Sequence, residues 1–326
     1  MNGHPLPPIV LDEVVDDPEA VRELARSNGP YWQPGRMLMS SGSVRETAGG
    51  TAGDVGIEAN LVGPVFRGDW AFGEPLIDGA EPLLHHRGFI DAAAAMYRTD
   101  QVVPEQVYVN LTTPVPRSGF SHTDIPEFRG ADRSNTPAWL LSAMGVSGLF
   151  EGERIPIVTA VAWFYRGDAG GLRYWPTGPD GPSVHHTDTW NSAVVGDNDF
   201  MPHEVQRVGP RGVSAPDGLT IDSELAWNDQ RWEIIDRSEV VHAYDDDQVR
   251  LSLSWKAKVY ADAGERRRAE EERDALTLDE ILGRFEAHLA AGDPSEPLAG
   301  RSPTSADLRR QLSARFTAYR PTPAPG

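Results

Sequence analysis

The chain contains no cysteine. That absence excludes disulfides, thiolate nucleophiles, zinc sites built on sulfur and iron–sulfur clusters, so any metal must be held by histidine and carboxylate. Positive charge is also scarce: 30 Lys and Arg stand against 49 Asp and Glu, a net charge of -19. Phosphate backbones and anionic lipid would be repelled by such a chain, so neither nucleic acid nor a membrane surface is the expected partner, and a small molecule is. No apolar run approaches the ~20 residues of a membrane span. Met1 to Val10 is Pro-rich and lacks the basic-then-apolar order of a leader, which gives a soluble cytoplasmic protein as the expectation. The chain's 326 residues, 39% of them apolar and nine of them Trp, are enough to bury a core in one large domain or two ordinary ones.

The texture changes along the chain. Asp17 followed by Pro18 marks a helix start, with Val21, Leu24 and Ala25 on one face. Gly42 to Gly56 reads as a mobile loop, and Ile90 to Arg98 has the Ala content of a buried helix. From Gln106 onward come short β-rich runs (QVYVNL, PIVTAVAWFY, LRYWP, SAVV, RWEII, EVVHAY, VRLSLSWKAKVY), each bounded by turn residues. These suggest a mainly β fold, an antiparallel sandwich or jelly roll with α embellishments. The expected organisation is a helical and loop region over 1–104, a jelly-roll core over 105–260 with an insertion at 129–153, and a helical extension with a frayed tail over 261–326. The insertion, with Trp139 and Phe150, would cover one mouth of the barrel.

The tripeptide His-Thr-Asp occurs twice, at His122 to Asp124 and at His186 to Asp188. Side chains two residues apart on a strand share a face, so one strand can offer His and Asp to one ion. A third ligand from elsewhere would complete the two-His-one-carboxylate face that holds Fe(II) with positions left open. The first copy has the surroundings of such a site, QVYVNLTTPVPRSGFSHTDIPEF; the second follows a Pro/Gly loop and is the weaker pair.

In order, that segment, then GGLRYWP, NSAVVGDNDFMPHEVQRVG and VRLSLSW resemble the Fe(II)/2-oxoglutarate-dependent oxygenases, locally the prolyl-hydroxylase-type members. In these a Gly-Gly strand precedes an apolar strand ending in His-x-Val, as Gly170-Gly171 and His203-Glu204-Val205 do here. The resemblance covers residues 105–258. It implies a double-stranded β-helix (cupin-like jelly roll), Fe(II) held by His122, Asp124 and His203, and 2-oxoglutarate and O2 consumed with release of succinate and CO2. It implies hydroxylation, desaturation or cyclisation; the Trp-rich core strands and the insertion around Trp139 and Phe150 suggest as substrate a small, partly apolar molecule, an amino-acid derivative or specialised metabolite. Arg250, with Ser252 two positions on, matches the basic residue and hydroxyl that grip the cosubstrate, where an Arg fork suits a carboxylate. Tyr108 and Asn110 share a strand face and are further candidates for cosubstrate contact.

Alternatives stay open. His242, seven positions before Arg250, rivals His203 as distal ligand, because a His203 assignment puts about forty residues between it and Arg250; the HEV context favours His203. Arg211 in GPRG could replace Arg250 but reads as a turn. Trp163, Phe164, Tyr174 and Trp175 are first of all core residues, Asp245 to Asp247 a solvated turn, and ERRRAEEERD an exposed helix. A second class of function is a non-redox metal-dependent cupin, an isomerase or a small-molecule binding protein; dependence on 2-oxoglutarate separates the two.

Overall fold

The computed structural model describes residues 4–36, 62–292 and 297–316. The Gly42 to Gly56 segment and the tail from Pro321 to Gly326 lie outside these. In chain order the elements are β1 (Ile9–Asp12), α1 (Pro18–Ser27), β2 (Tyr31–Trp32), β3 (Val65–Phe72), β4 (Glu74–Pro75), α2 (Glu81–Leu84), α3 (Arg87–Tyr97) and β5 (Val102–Thr112). Then follow β6 (Glu127–Phe128), α4 (Ala138–Ser147), β7 (Arg154–Ile155), β8 (Ile157–Phe164), β9 (Leu172–Tyr174), β10 (Val184–His186), β11 (Trp190–Gly196) and β12 (His203–Val205). The last are β13 (Glu224–Trp227), β14 (Trp232–Asp236), β15 (Glu239–Tyr244), β16 (Arg250–Val259), α5 (Ala263–Glu270), α6 (Leu278–Gly292) and α7 (Ala306–Arg315). None of the described helices is long and apolar enough to cross a membrane.

The fold is mostly antiparallel β. An eleven-stranded sheet runs β1-β11-β8-β16-β5-β3-β2-β13-β14-β15, with β4 paired to β3; β10-β9-β12 form a second sheet and β6-β7 a short ladder. The strand β16 shows why the sheet is covered on both sides. Its sequence RLSLSWKAKV alternates, so Leu251, Leu253, Trp255, Ala257 and Val259 enter the main core while Arg250, Ser252, Ser254 and Lys256 take the opposite face. Helices close the apolar side. Asp17 caps α1 by accepting from the amides of Glu19 and Ala20, and Val21 and Ala25 are buried in the core cluster. From α2, the Leu84 carbonyl accepts the Trp255 indole N–H at 2.7 Å, and Phe89 of α3 packs on the same ring. On the polar side lies the small sheet, with Trp163, Leu172, Tyr174, Val194 and Met201 packed between the two sheets.

Three sequence expectations change here. Residues 1–104 supply strands β1 to β4 to the main sheet as well as helix and loop. In β3, VFRGDWAF, the hydrophobic pattern is broken by Arg67 and Asp69 and by Gly68, where a Cβ would lie 2.6 Å from the Tyr31 ring, so the run does not look like a strand. Phe150 belongs to, and Trp139 packs against, a separate apolar cluster built mainly from α4, α6 and α7. Asp246 is no mere solvated turn, since it pairs with Arg22 at 2.7 Å and Arg26 at 2.9 Å and accepts the Trp232 indole N–H. By contrast, α5, the ERRRAEEERD segment's helix, has no buried residue. Replacing Trp255 by Ala is expected to cost about 3–5 kcal/mol, the range for deleting a fully buried aromatic ring, measured as a shift in urea unfolding at unchanged slope.

Candidate functional site

His122, Asp124 and His203 converge, each offering one ligand atom within 4.8 Å of the others. The backbone arranges this directly. His122 and His203 exchange amide-to-carbonyl hydrogen bonds of 3.0 and 2.9 Å, and the Asp124 amide donates to the Asn198 carbonyl at 2.8 Å. The expectation that the His-Thr-Asp tripeptide occupies a regular strand needs correction. Only His122 makes a bridge; Thr123 and Asp124 are irregular, the Asp124 amide going to the Asn198 carbonyl outside any ladder. The side chains nevertheless meet: the imidazole rings lie 4.5 Å apart and His203 Nε2 is 3.8 Å from Asp124 Oδ1.

Each group is prepared for a cation. His122 Nδ1 faces the Phe120 carbonyl at 3.1 Å and His203 Nδ1 the Met201 carbonyl at 3.0 Å. A carbonyl only accepts, so Nδ1 carries the proton in both neutral rings and each Nε2 lone pair is bare. Burial pushes the His203 pKa down to about 4, with His122 adding to the effect and Asp124 opposing it, so this ring is neutral at physiological pH. Burial alone would raise the Asp124 carboxyl, but Lys256 and the two histidines outweigh it and hold Asp124 well below the usual carboxylate range. The second oxygen, Asp124 Oδ2, accepts from Lys256 Nζ at 2.6 Å and from Thr159 Oγ1 at 3.1 Å. One oxygen is thus tethered and the other left facing the imidazoles. The donor set of two imidazole nitrogens and one carboxylate oxygen fits a divalent transition metal.

A second feature lies on the same face of β16. Arg250 is 1% exposed; its Nε donates to the Gly170 carbonyl and its Nη1 to Ser252 Oγ at 2.8 Å, while the buried Nη2 has no protein acceptor. Burial pushes the guanidinium pKa down to about 10, which leaves it charged at neutral pH. Gly170, at φ +76, brings its carbonyl to Arg250, and a Cβ at Gly171 would fall 2.1 Å from the His186 carbonyl, so the Gly-Gly pair is what lets β9 approach. Across the ladder from Ser252 stand Trp163 on β8 and Asn110 on β5, and the Trp163 indole N–H is likewise buried without an acceptor. Tyr108 stands opposite Ser254, with the Arg67 guanidinium 3.6 Å over its ring. Ser252 and Lys256 are four residues apart on one strand, about 13 Å at 3.3 Å per residue. The bare guanidinium and the lysine that holds the triad's carboxylate therefore stand on one face of β16.

Other candidates fall away from this centre. His242 sits half-buried on β15, its Nε2 3.0 Å from the Asp217 carbonyl, five strands from β5 along the sheet and so about 24 Å off. The second His-Thr-Asp copy is split: His186 is buried, 3.0 Å from Ser192 Oγ and stacked on Trp163, whereas Asp188 is exposed beyond the strand end. Arg211 is exposed in a turn. Lys256, Thr159 and Asn198 are site residues that sequence reasoning missed. The signal for Lys256 was present, since it shares parity with Arg250 and Ser252 on a strand whose other face is wholly apolar.

No family model matches the chain, and no curated protein does. Solved structures do resemble it. A Pseudomonas putida prolyl-4-hydroxylase matches at 15% identity over 78% of this chain and 94% of its own, TM-score 0.39. An oxidoreductase of the 2OG-Fe(II) oxygenase family from Burkholderia pseudomallei matches at 12% identity over 70% and 92%, TM-score 0.35. HygX from Streptomyces hygroscopicus, determined with nickel, 2-oxoglutarate and hygromycin B, matches at 10% identity over 78% and 83%, TM-score 0.37. The structures it resembles are 2-oxoglutarate–Fe(II) oxygenases. At TM-scores below 0.5 the site stands on its own geometry.

That geometry makes Lys256 and Asp124 interdependent. Lys256→Met in metal-free protein is expected to cost about 3 kcal/mol, because a buried carboxylate loses its cation. The double variant with Asp124→Asn should recover most of the loss, and a double-mutant cycle from denaturant unfolding should give a coupling of at least about 1 kcal/mol.

Proposed function

We propose that this protein is an Fe(II)- and 2-oxoglutarate-dependent oxygenase acting on a small molecule, with the two sheets as the walls of a double-stranded β-helix. The observation that carries the reading is the pairing of two unsatisfied features on one buried face: three converging metal donors, and at the far end a guanidinium nitrogen with no acceptor. Burying an arginine donor without a partner is costly, and the cost is repaid when a carboxylate arrives.

His122, Asp124 and His203 hold the metal. Fe(II), when bound with 2-oxoglutarate and O2, supplies the oxidation of a substrate C–H bond with release of succinate and CO2. The protein's own residues do the rest. Lys256 and Thr159 tether Asp124 Oδ2 so that Oδ1 keeps its direction, and the Phe120 and Met201 carbonyls fix both imidazole tautomers. Arg250 and Ser252 take the distal carboxylate of the cosubstrate, with Asn110 and the Trp163 indole N–H on the flanking strands supplying further donors. The tight interior of Leu172, Tyr174, Val194 and Met201 keeps bulk water from the reacting centre.

Anaerobic addition of Fe(II) and then 2-oxoglutarate should produce the weak visible charge-transfer band of a chelated 2-oxo acid in the wild type and in His242→Ala, and none in His203→Ala. Arg250→Ala should weaken 2-oxoglutarate about a hundredfold, the loss of two charge-assisted hydrogen bonds, while metal affinity measured without cosubstrate stays unchanged. Tight metal binding with no band in the wild type sinks the proposal and leaves a non-redox cupin.

A further inference from the structure

Beside the triad, the chain between β11 and β12 (Gly196 to Pro202) carries an acidic group that nothing in the protein answers. Asp199 is half-buried as a residue, yet both of its carboxylate oxygens are covered and neither receives a hydrogen bond. It follows Asn198, whose carbonyl accepts the Asp124 amide at 2.8 Å, so it sits beside the metal donors. Burial pushes the Asp199 carboxyl well above the usual carboxylate range, with Lys256 and Arg154 opposing and Asp124 and Asp197 adding to the effect. The two neighbouring cations are committed elsewhere. Lys256 is held on Asp124 Oδ2 at 2.6 Å; Arg154 binds Glu151 at 2.8 Å and the Gly145 carbonyl at 2.9 Å and lies over the Phe200 ring. Asp197 is a further acidic neighbour, its Oδ2 3.4 Å from the Leu6 amide.

A buried carboxylate with no donor is among the most expensive arrangements a fold can keep. Four lone-pair sites on its two oxygens suit a group that brings several N–H donors and a positive charge. A second metal ion is the poorer occupant, because among the described residues only His122, Asp124 and His203 bring three ligand atoms together. We infer that Asp199 is a specificity-determining residue that receives a protonated amine of the substrate beside the oxidising centre, so the substrate class is a small cationic amine. This inference rests on the oxygenase reading of the site.

The test uses the full-length protein loaded with Mn(II), which binds without turnover, and 2-oxoglutarate. Calorimetric titrations are run with L-lysine, L-ornithine, spermidine and glucosamine, each beside its N-acetyl counterpart. At least one amine should bind about ten- to a hundredfold tighter than its acetylated form, the range for charge-assisted hydrogen bonds, and Asp199→Asn should bring that ratio to about one. Metal-free Asp199→Asn should also melt higher than the wild type at neutral pH, since burial raises the Asp199 carboxyl and folding there costs either proton uptake or a buried charge; a merely structural Asp199 would make the variant melt lower. Three results overturn the inference: no amine preferred by the wild type, a preference that survives in Asp199→Asn, or a second Mn(II) equivalent that Asp199→Asn abolishes. Failure of the oxygenase reading shows separately, as wild-type Mn(II) protein that does not take up 2-oxoglutarate before any amine is added, and it removes this inference as well.

Discussion

Period-two alternation along a strand buried on both faces is the constraint on which the rest of this structure depends. In β16 every second residue is apolar and enters a core roofed by α1, α2 and α3, and the intervening ones are cationic or hydroxylic and face the small sheet. A one-residue slip would put Arg250 and Lys256 into the hydrocarbon core and Trp255 among the donors. The neighbours fix the register against this: β5 pairs with β16 from Thr112 to Val102, and β8 pairs with it from Trp163 to Ile157. The same alternation that packs the fold therefore positions the chemistry.

Electrostatics follow a matching logic. The chain carries a net charge of -19, yet Arg250 is buried, Lys256 is half-buried, and Arg22 sits buried on Asp246 and the Phe164 carbonyl. Each of these three cations finds a different solution. Arg22 is fully used in holding α1 to the turn before β16; Lys256 is used on one carboxylate; Arg250 keeps a nitrogen in reserve. The first is architecture, and the last has the character of a receptor.

The sequence made the convergence of His122, Asp124 and His203 legible because they belong to short-range patterns, a spaced pair and a histidine in a strand of its own, which survive even where the local strand is irregular. Arg250 and Ser252 share a face of β16 by an equally short-range rule. The separation of His203 from Arg250 obscured the pairing, since β13, β14 and β15 intervene and extend the sheet beyond β2, carrying His242 to its edge. Asp199 was not legible, because its state depends on which donors other chains of the fold withhold from it, and that is a property of packing. Nor were the strands β1 to β3, whose residues owe their extended form to a partner distant in sequence, as Ile9 does to Val195.

The position of β16 also bears on how the molecule is made. This central strand is encoded near the end of the chain, after β5 and β8, the two strands it joins. Until it emerges from the ribosome, a growing polypeptide holds β5 and β8 with the edges that β16 will cover unpaired, the kind of surface that invites intermolecular pairing. Synthesis of the stretch from β8 to β16 is therefore a race between closing the sheet and sticking to a neighbour. Nascent chains stalled before Arg250 would be natural clients for a chaperone.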